Sequence, residues 1–302
     1  MSAVSAPPVD EVGLRRYDAA AVAAAALVLR RYSTSFGLAT RLLARPMRPH
    51  IAAVYGLVRV ADEIVDGPAA AAGLDAERRR ELLDRLEEDV RAVRGGGYSA
   101  NLIVHAFGRT ADRFGIGDDL TVPFFASMRA DLSLTSCTPE EFDRYVYGSA
   151  EVIGLMCLRV FTGVEPYSGP DAAARTARLE AGARRLGAAF QKINFLRDLG
   201  DDIRTLGRSY FPGVVDGVFD EQVKADITAS IRADLDAAGR TLDELPRGAR
   251  PAVAAAHMLF AALTDRVEKI PATALLEQRV RVPDAVKLAI LTRALLHRGR
   301  RR

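Results

Sequence analysis

The segment Ile51 to Ala61, IAAVYGLVRVA, is apolar nearly all round, yet it runs straight into ADEIVD, which sets two carboxylates four residues apart. An apolar helix of this kind has to be interior. Each residue of an α-helix advances about 100°, so Asp62 and Asp66 point the same way, with Tyr55 and Arg59 on the same face. Two carboxylates in low-dielectric surroundings repel, and an unpaired buried charge is strongly unfavourable. A fold that accepts this helix must bring positive charge to its end. Arg59 alone cannot serve both acids, whereas a divalent metal can. A surface helix end with a chance acid pair is the plainer reading, and burial of the preceding turns weakens it.

The rest of the chain is also helical in pattern. Alanine, leucine and arginine dominate its 302 residues, 49% are hydrophobic, and β-branched alternation is rare. This favours an all-α protein with one large core. The periodicity predicts helices near 16–31, 46–66, 75–94, 99–115, 121–134, 139–163, 170–206, 219–243, 250–268 and 283–297. Thr138-Pro139-Glu140-Glu141 supplies an N-cap, a proline at the first helical position and a capping-box glutamate. Gly95-Gly96-Gly97 stops the helix before 99, and Gly207 with Pro212-Gly213 closes the long segment that begins near 170. No low-complexity linker or fixed-period repeat divides the chain. The expected organisation is a loose arm over 1–14, one helical domain over 15–298 and a basic tail over 299–302.

The segment LGAAFQKINFLRDLGDDIRTLGRSYFP carries a second constellation. Gln191, Asn194, Asp198 and Asp202 fall within a sector of roughly 80°. Their neighbours Phe190, Ile193, Phe195, Leu196 and Leu199 are apolar. A polar stripe in a greasy helix is the reverse of a surface helix. It serves either as a buried hydrogen-bond network between helices or as a second wall of oxygen ligands. Carboxylates and amides are hard donors that suit Mg²⁺ or Mn²⁺ rather than zinc. Asp62, Asp66, Asn194, Asp198 and Asp202 are the candidate metal ligands. Mg²⁺ held by a few carboxylates usually completes its shell with water and phosphate oxygens, so the implied substrate carries a diphosphate. Arg59, Arg197 and Arg208 are placed to neutralise it.

Other chemistries lack their signatures. Cys137 and Cys157 are the only cysteines and form no C-x-x-C, which leaves neither a disulfide framework nor a zinc site. No histidine follows a glutamate by three residues, as di-iron bundles require. There is no G-x-x-x-x-G-K-[ST], no G-x-G-x-x-G and no G-x-S-x-G. Net charge is +3 and the pI is near 9.0, with the basicity diffuse except in LLHRGRRR. No secretory signal is visible, and charge-free apolar runs such as AVAAAHMLFAALT are too short to span a bilayer. The expectation is a soluble, cytosolic protein that does not bind nucleic acid, with contact at a membrane surface left open.

With these residues in view, the chain resembles the squalene and phytoene synthase family from about Tyr32 to Lys287. The match rests on Leu186-Gly187, Gln191, Asn194, Arg197-Asp198, Asp202, Arg208, Tyr210 and Pro212, and on Asp62-x-x-x-Asp66 with Arg59 upstream. YSTSF, with Ser33, Ser35 and Phe36, resembles the family's N-terminal segment that flanks a diphosphate. YVYGSAEVIGLM resembles the central helix that lines the tail cavity, although Glu151 stands where a small residue is usual and Val146 replaces a small or sulfur residue. RVRVP resembles a late stretch of cationic contacts, from which Arg279 is carried over. D-D-x-x-D motifs of chain-elongating synthases, and the paired motifs of terpene cyclases, are absent.

The resemblance implies an isoprenoid-synthase-type helical bundle around a central cavity. It also implies a metal-dependent 1-1′ condensation of two prenyl diphosphates through a cyclopropylcarbinyl diphosphate. Asp62, Asp66, Asp198 and Asp202 would act at the diphosphates, with Tyr55, Arg59, Gln191, Arg197, Arg208, Tyr210 and Arg279 as substrate contacts. Phe36, Ala150, Ile153, Gly154 and Cys157 are candidate tail contacts, and Tyr145 or Tyr147 is a candidate to orient or accept a proton late in the path. Two geranylgeranyl diphosphates giving phytoene is the favoured reading. Coupling of two farnesyl diphosphates to squalene or dehydrosqualene is the alternative, with NADPH required only for squalene. A catalytically silent helical scaffold at a membrane surface is the rival from another class.

Overall fold

Every regular element seen in the computed structural model is helical, as the periodicity predicts. It describes residues 11–33, 35–134, 136–201, 203–204, 210–212, 214, 219–277 and 279–297. In chain order these are α1 (Glu11–Tyr32), α2 (Ser35–Thr40), α3 (Arg48–Val65), α4 (Pro68–Ala71), α5 (Ala76–Val93), α6 (Leu102–Phe114) and α7 (Asp118–Asp131). They continue with α8 (Pro139–Val146), a π-helical turn (Tyr147–Glu151), α9 (Val152–Val164), α10 (Ala172–Asp201), α11 (Glu221–Gly239), a 3₁₀ turn (Leu242–Glu244), α12 (Arg250–Glu268), α13 (Ala272–Glu277) and α14 (Asp284–His297).

The caps are those written in the sequence. Thr138 accepts from the Glu141 N–H, and the Glu141 side chain accepts from the Thr138 N–H at 2.9 Å. Asn101 accepts from the Ile103 and Val104 N–H groups at the start of α6, and Asp75 from the Arg78 N–H at the start of α5; Gly115 ends α6 in the left-handed conformation at φ 65°. Three expectations are corrected. α1 begins at Glu11, inside the segment expected to be an arm, while residues 1–10 of that arm and the basic tail 299–302 lie outside the described residues. The short helices α2, α4 and α13 have too few residues to show a period. The helix expected over 139–163 is interrupted by the π turn.

That interruption coincides with a close approach between helices distant in sequence. Gly148 lies against α7 so closely that a Cβ there would collide with the Pro123 carbonyl and Ser127 Oγ. Ser149 Oγ donates to the Tyr145 carbonyl at 2.7 Å and Ser127 Oγ donates to the same oxygen at 3.2 Å. A π turn inserts one residue and rotates the next helical turns about the axis, here those of Ile153, Gly154 and Cys157. The run Pro139–Val164 is long and apolar enough to cross a membrane by length and composition, with mean hydropathy 1.2, but half of that window is buried in the protein. It is a core helix.

One core joins α3, α5, α6, α7 and α9 through Leu57, Leu83, Phe107, Phe124, Phe125 and Met156. A second joins α8 with α10 to α13 through Tyr145, Ile193, Leu196, Ile231 and Val267. Phe107, Phe124 and Phe125 are fully buried, and each such ring contributes about 1.5–3 kcal/mol relative to exposure. An alanine seam, Ala21 and Ala25 of α1 against Ala52 and Ala53 of α3, fixes α1 to the first core. Between α2, α9, α10, α11 and α12 lies a cavity of about 200 Å³ with an almost wholly apolar lining.

Candidate active site

The first acid pair sits where α3 ends. Arg59 Nη1 donates to Asp62 Oδ2 at 2.7 Å, and Nη2 pairs with Glu63. The guanidinium carbon lies 4.6 Å from the centroid of the Tyr32 ring. Arg59 Nε is buried without an acceptor among the described residues. Ser33 and Tyr55 share a side-chain hydrogen bond, so YSTSF and α3 do come together. Ser35 and Phe36 belong to α2, but their side chains lie outside the described residues. Burial first, and then the neighbouring Asp66 carboxylate, push Asp62 up from its ordinary value to about 7, against the pull of Arg59. The pair therefore strains against its own negative charge, as the sequence implies.

The second wall is on α10. Arg197 binds its neighbour Asp198 through Nε at 2.9 Å and Nη2 at 2.5 Å. Arg279 reaches the same carboxylate from 81 residues away, with Nε 2.6 Å from Oδ1 and Nη2 3.3 Å from Oδ2. Asp198 is thus held between two arginines. Gln191 and Asn194 are half-buried on the same helix. Asp202 and Arg208 lie outside the described residues. Among those described, no three His, Cys, Asp or Glu side chains converge as a ready-made metal cluster.

Both walls connect to the apolar cavity along single helix faces. Ile51 of α3 lines it, and the face of Ile51 continues through Tyr55 to Asp62 and Asp66. Gly187 of α10 lines it, and that face continues through Gln191 and Asn194 to Asp198. In each helix the acid lies eleven residues, about 16 Å, toward the C-terminus from the lining residue. Ala150, Ile153, Gly154 and Cys157 also line the cavity. Gly154 has a packing reason as well, since a Cβ would fall 2.6 Å from the Ala183 carbonyl oxygen. Glu151 does not line the cavity. It turns outward and pairs with Arg184 at 2.6 Å, while Val146 is buried in the second core.

Tyr145 is buried, and its hydroxyl donates to Asp131 Oδ1 at 2.6 Å. Tyr210 donates to the same oxygen at 3.1 Å and stacks on Phe195 of α10 at 4.0 Å between centroids. Burial and the Asp131 charge hold the Tyr145 phenol well above its usual range, with a smaller contribution from Asp66. Asp131, at the end of α7, was not singled out from the sequence; a lone acid in MRADLSL gives no periodic signal. Glu63 was missed too, being off the face shared by Asp62 and Asp66.

The family model for squalene/phytoene synthase matches residues 29–215. The chain belongs to the squalene/phytoene synthase family. A 15-cis-phytoene synthase from Synechococcus elongatus is 30% identical over 89% of this chain and 90% of its own length. Phytoene synthase 3 of Zea mays is 31% identical over 89% of this chain, which spans 64% of that relative. The Arthrospira platensis phytoene synthase is 34% identical over 61% of this chain and 59% of its own length. Among solved structures, a dehydrosqualene synthase superposes with a TM-score of 0.75 at 20% identity, covering 94% of this chain and 98% of that one. The squalene synthase of Alicyclobacillus acidocaldarius gives 0.68 at 19% identity over 83% and 94%. At these identities the superpositions establish the shared all-α fold.

Proposed function

We propose that this chain joins two prenyl diphosphates head to head (1-1′) with release of diphosphate. Its substrates are two molecules of geranylgeranyl diphosphate, and its product is phytoene, formed by way of a cyclopropylcarbinyl diphosphate. The observation that carries this reading is the pair of helix faces, on α3 and α10, that each run from one shared apolar cavity to an oxygen-rich end. The phytoene synthases at 30–34% identity support the choice of product.

The oxygen-rich ends fit Mg²⁺ or Mn²⁺. Asp62, Asp66, Asn194, Asp198 and Asp202 offer only hard oxygens, and the upward shift of Asp62 marks an acid pair short of positive charge. When bound there, the metal supplies Lewis-acid stabilisation of the departing diphosphate. Arg59, with a free Nε–H, and Arg197 and Arg279, gathered at Asp198, hold diphosphate oxygens in the forked geometry that guanidinium suits. The apolar walls keep water from the allylic cation. Tyr145 stays a neutral phenol because burial and the Asp131 charge disfavour the phenolate, and it belongs to the second core rather than to the cavity lining.

Incubation of the purified protein with C15 or C20 prenyl diphosphate, with and without Mg²⁺ and NADPH, tests this. Phytoene from the C20 substrate, dependent on Mg²⁺ and indifferent to NADPH, is expected. Squalene or dehydrosqualene from C15 alone would replace the substrate assignment. No diphosphate release from either would refute the reading.

A further inference from the structure

A second hollow lies across Leu245 from the apolar cavity, and its chemistry is the opposite. Leu245 lines both. The hollow is open, about 740 Å³ in volume, and set between the starts of α10 and α12 and the 3₁₀ turn that precedes α12. Four arginines line it: Arg175 and Arg178 of α10, Arg247, and Arg250 at the start of α12. Two of them are oriented by neutral atoms. Arg175 donates to the Glu244 carbonyl through Nε at 3.0 Å and also through Nη2. Arg250 Nη2 donates to the Leu245 carbonyl at 3.0 Å and to the Asp243 carbonyl. Backbone carbonyls fix a guanidinium without cancelling its charge. The Arg175 guanidinium carbon also lies 4.1 Å from the centroid of the Tyr167 ring, whose hydroxyl is 2.9 Å from Thr176 Oγ1. Arg247 is exposed and makes no hydrogen bond or ion pair among the described residues. Arg250 Nε is buried without an acceptor among them.

Four acids share this lining, but each is engaged elsewhere or solvated. Arg178 Nη2 binds Glu244 Oε2 at 2.7 Å, and Glu165 Oε2 accepts from Gly248 N–H at 3.0 Å. Asp171 stands just before the first turn of α10, where a carboxylate offsets the helix dipole. Asp243 is 4.0 Å from Arg250 Nη1 with its side chain 76% exposed, so water screens that pair. The start of α12 has neither an acid in its first turn nor a side-chain cap. We propose that this hollow is a binding site for a small oxyanion of the phosphate class, held by Arg175, Arg247 and Arg250 with Tyr167 as one wall. Guanidinium forks match phosphate oxygens, and the uncapped start of a long helix favours an anion beside them. The site is distinct from the acid walls, since Arg178 precedes Asp198 by twenty residues on α10, about 30 Å along the helix axis. Its positive charge comes from the protein, so binding here does not call for a divalent metal.

The chain contains no tryptophan, so Tyr167→Trp places a single emitting reporter at the hollow. Its emission is titrated with inorganic diphosphate in metal-free buffer at constant ionic strength. A saturable change with Kd below about 1 mM is expected. Adding Arg247→Gln removes an exposed side chain that has no partner to lose, and it should weaken binding about tenfold or more. Arg279→Gln, at the acid wall, should leave the Kd at the reporter within about twofold. In the chain with Tyr167 intact, diphosphate should raise the Tm, and Arg247→Gln should shrink that rise. The absence of a saturable change in both measurements would overturn the site, as would a Kd that Arg247→Gln leaves within about twofold of its starting value. Loss of binding on Arg279→Gln in place of Arg247→Gln would put the anion at the acid wall and overturn it equally.

Discussion

Removing the Asp131 carboxylate should destabilise the protein more than any surface change, and the structure sets the size of the effect. Asp131 is buried, and a single oxygen accepts from two phenols, Tyr145 at 2.6 Å and Tyr210 at 3.1 Å. In Asp131→Ala both hydroxyls lose this acceptor. A buried donor left without a partner costs about 1–3 kcal/mol. Part of that is returned because an anionic carboxylate no longer has to be desolvated. The expected loss is about 3 kcal/mol, seen as a lower urea midpoint or as a Tm fall of about 2–4 °C for each kcal/mol.

Asp131→Asn keeps an accepting oxygen and loses only charge assistance, so about 1–2 kcal/mol is expected for it. Tyr145→Phe gives a third corner. If the two side chains act through their mutual bond, the double variant should cost less than the sum of the singles by about 0.5–3 kcal/mol. A value for Asp131→Ala within about 0.5 kcal/mol of wild type would put it among ordinary surface positions and refute the view that this carboxylate ties α7, α8 and the Tyr210 segment together.

Further outcomes are expected from the acid walls and from the packing of α10. Because Asp62 is raised from 3.8 to about 7, the folded metal-free protein keeps a proton that the unfolded chain has released. Stability should therefore fall as pH rises from about 4 to about 7. Asp62 is partly solvent-screened, so the fall attributable to it is about 1–2 kcal/mol, and Asp66→Asn should flatten the slope in denaturant titrations at stepped pH. Gly187→Val forces side-chain atoms toward the Ala150 carbonyl, so about 1–3 kcal/mol of stability should be lost in a melt, together with activity as the cavity narrows. Glu151→Ala breaks an ion pair with a half-exposed arginine and should cost no more than about 1 kcal/mol, with the product unchanged by chromatography because Glu151 lies off the lining.

Helices with periodic apolar faces and written caps were legible from sequence: Arg250–Glu268 matches the expected span, and the Thr138 capping box is in place. What escaped depends on contacts between distant residues. The six residues of α13 have no period of their own; they are held by Glu221 accepting from Ala272 N–H at 2.6 Å. The π turn arises from the close approach of Gly148 to α7, which no local pattern around Tyr147 records. Asp131 meets partners 14 and 79 residues away. The aspartates at 62, 66 and 198 stand out in the sequence because i,i+4 spacing of acids on a greasy helix is itself a conflict. Arg279 was reached only through the resemblance, since nothing near it points to Asp198.

The conflict that made α3 and α10 conspicuous also explains why ordinary face-by-face reading undervalues them. Most amphipathic helices change polarity around the axis, but these two also change along it. On α10 the face from Leu179 to Gly187 is apolar and the same face from Gln191 to Asp198 is polar; α3 repeats the gradient from Ile51 to Asp66. A charge gains most from a partner where water is scarce, and an apolar tail gains most where no polar group is left unpaired. Placing both environments on one continuous face lets a single rigid helix fix the distance between them. That distance, rather than the chemistry of either end alone, then determines which amphiphile fits.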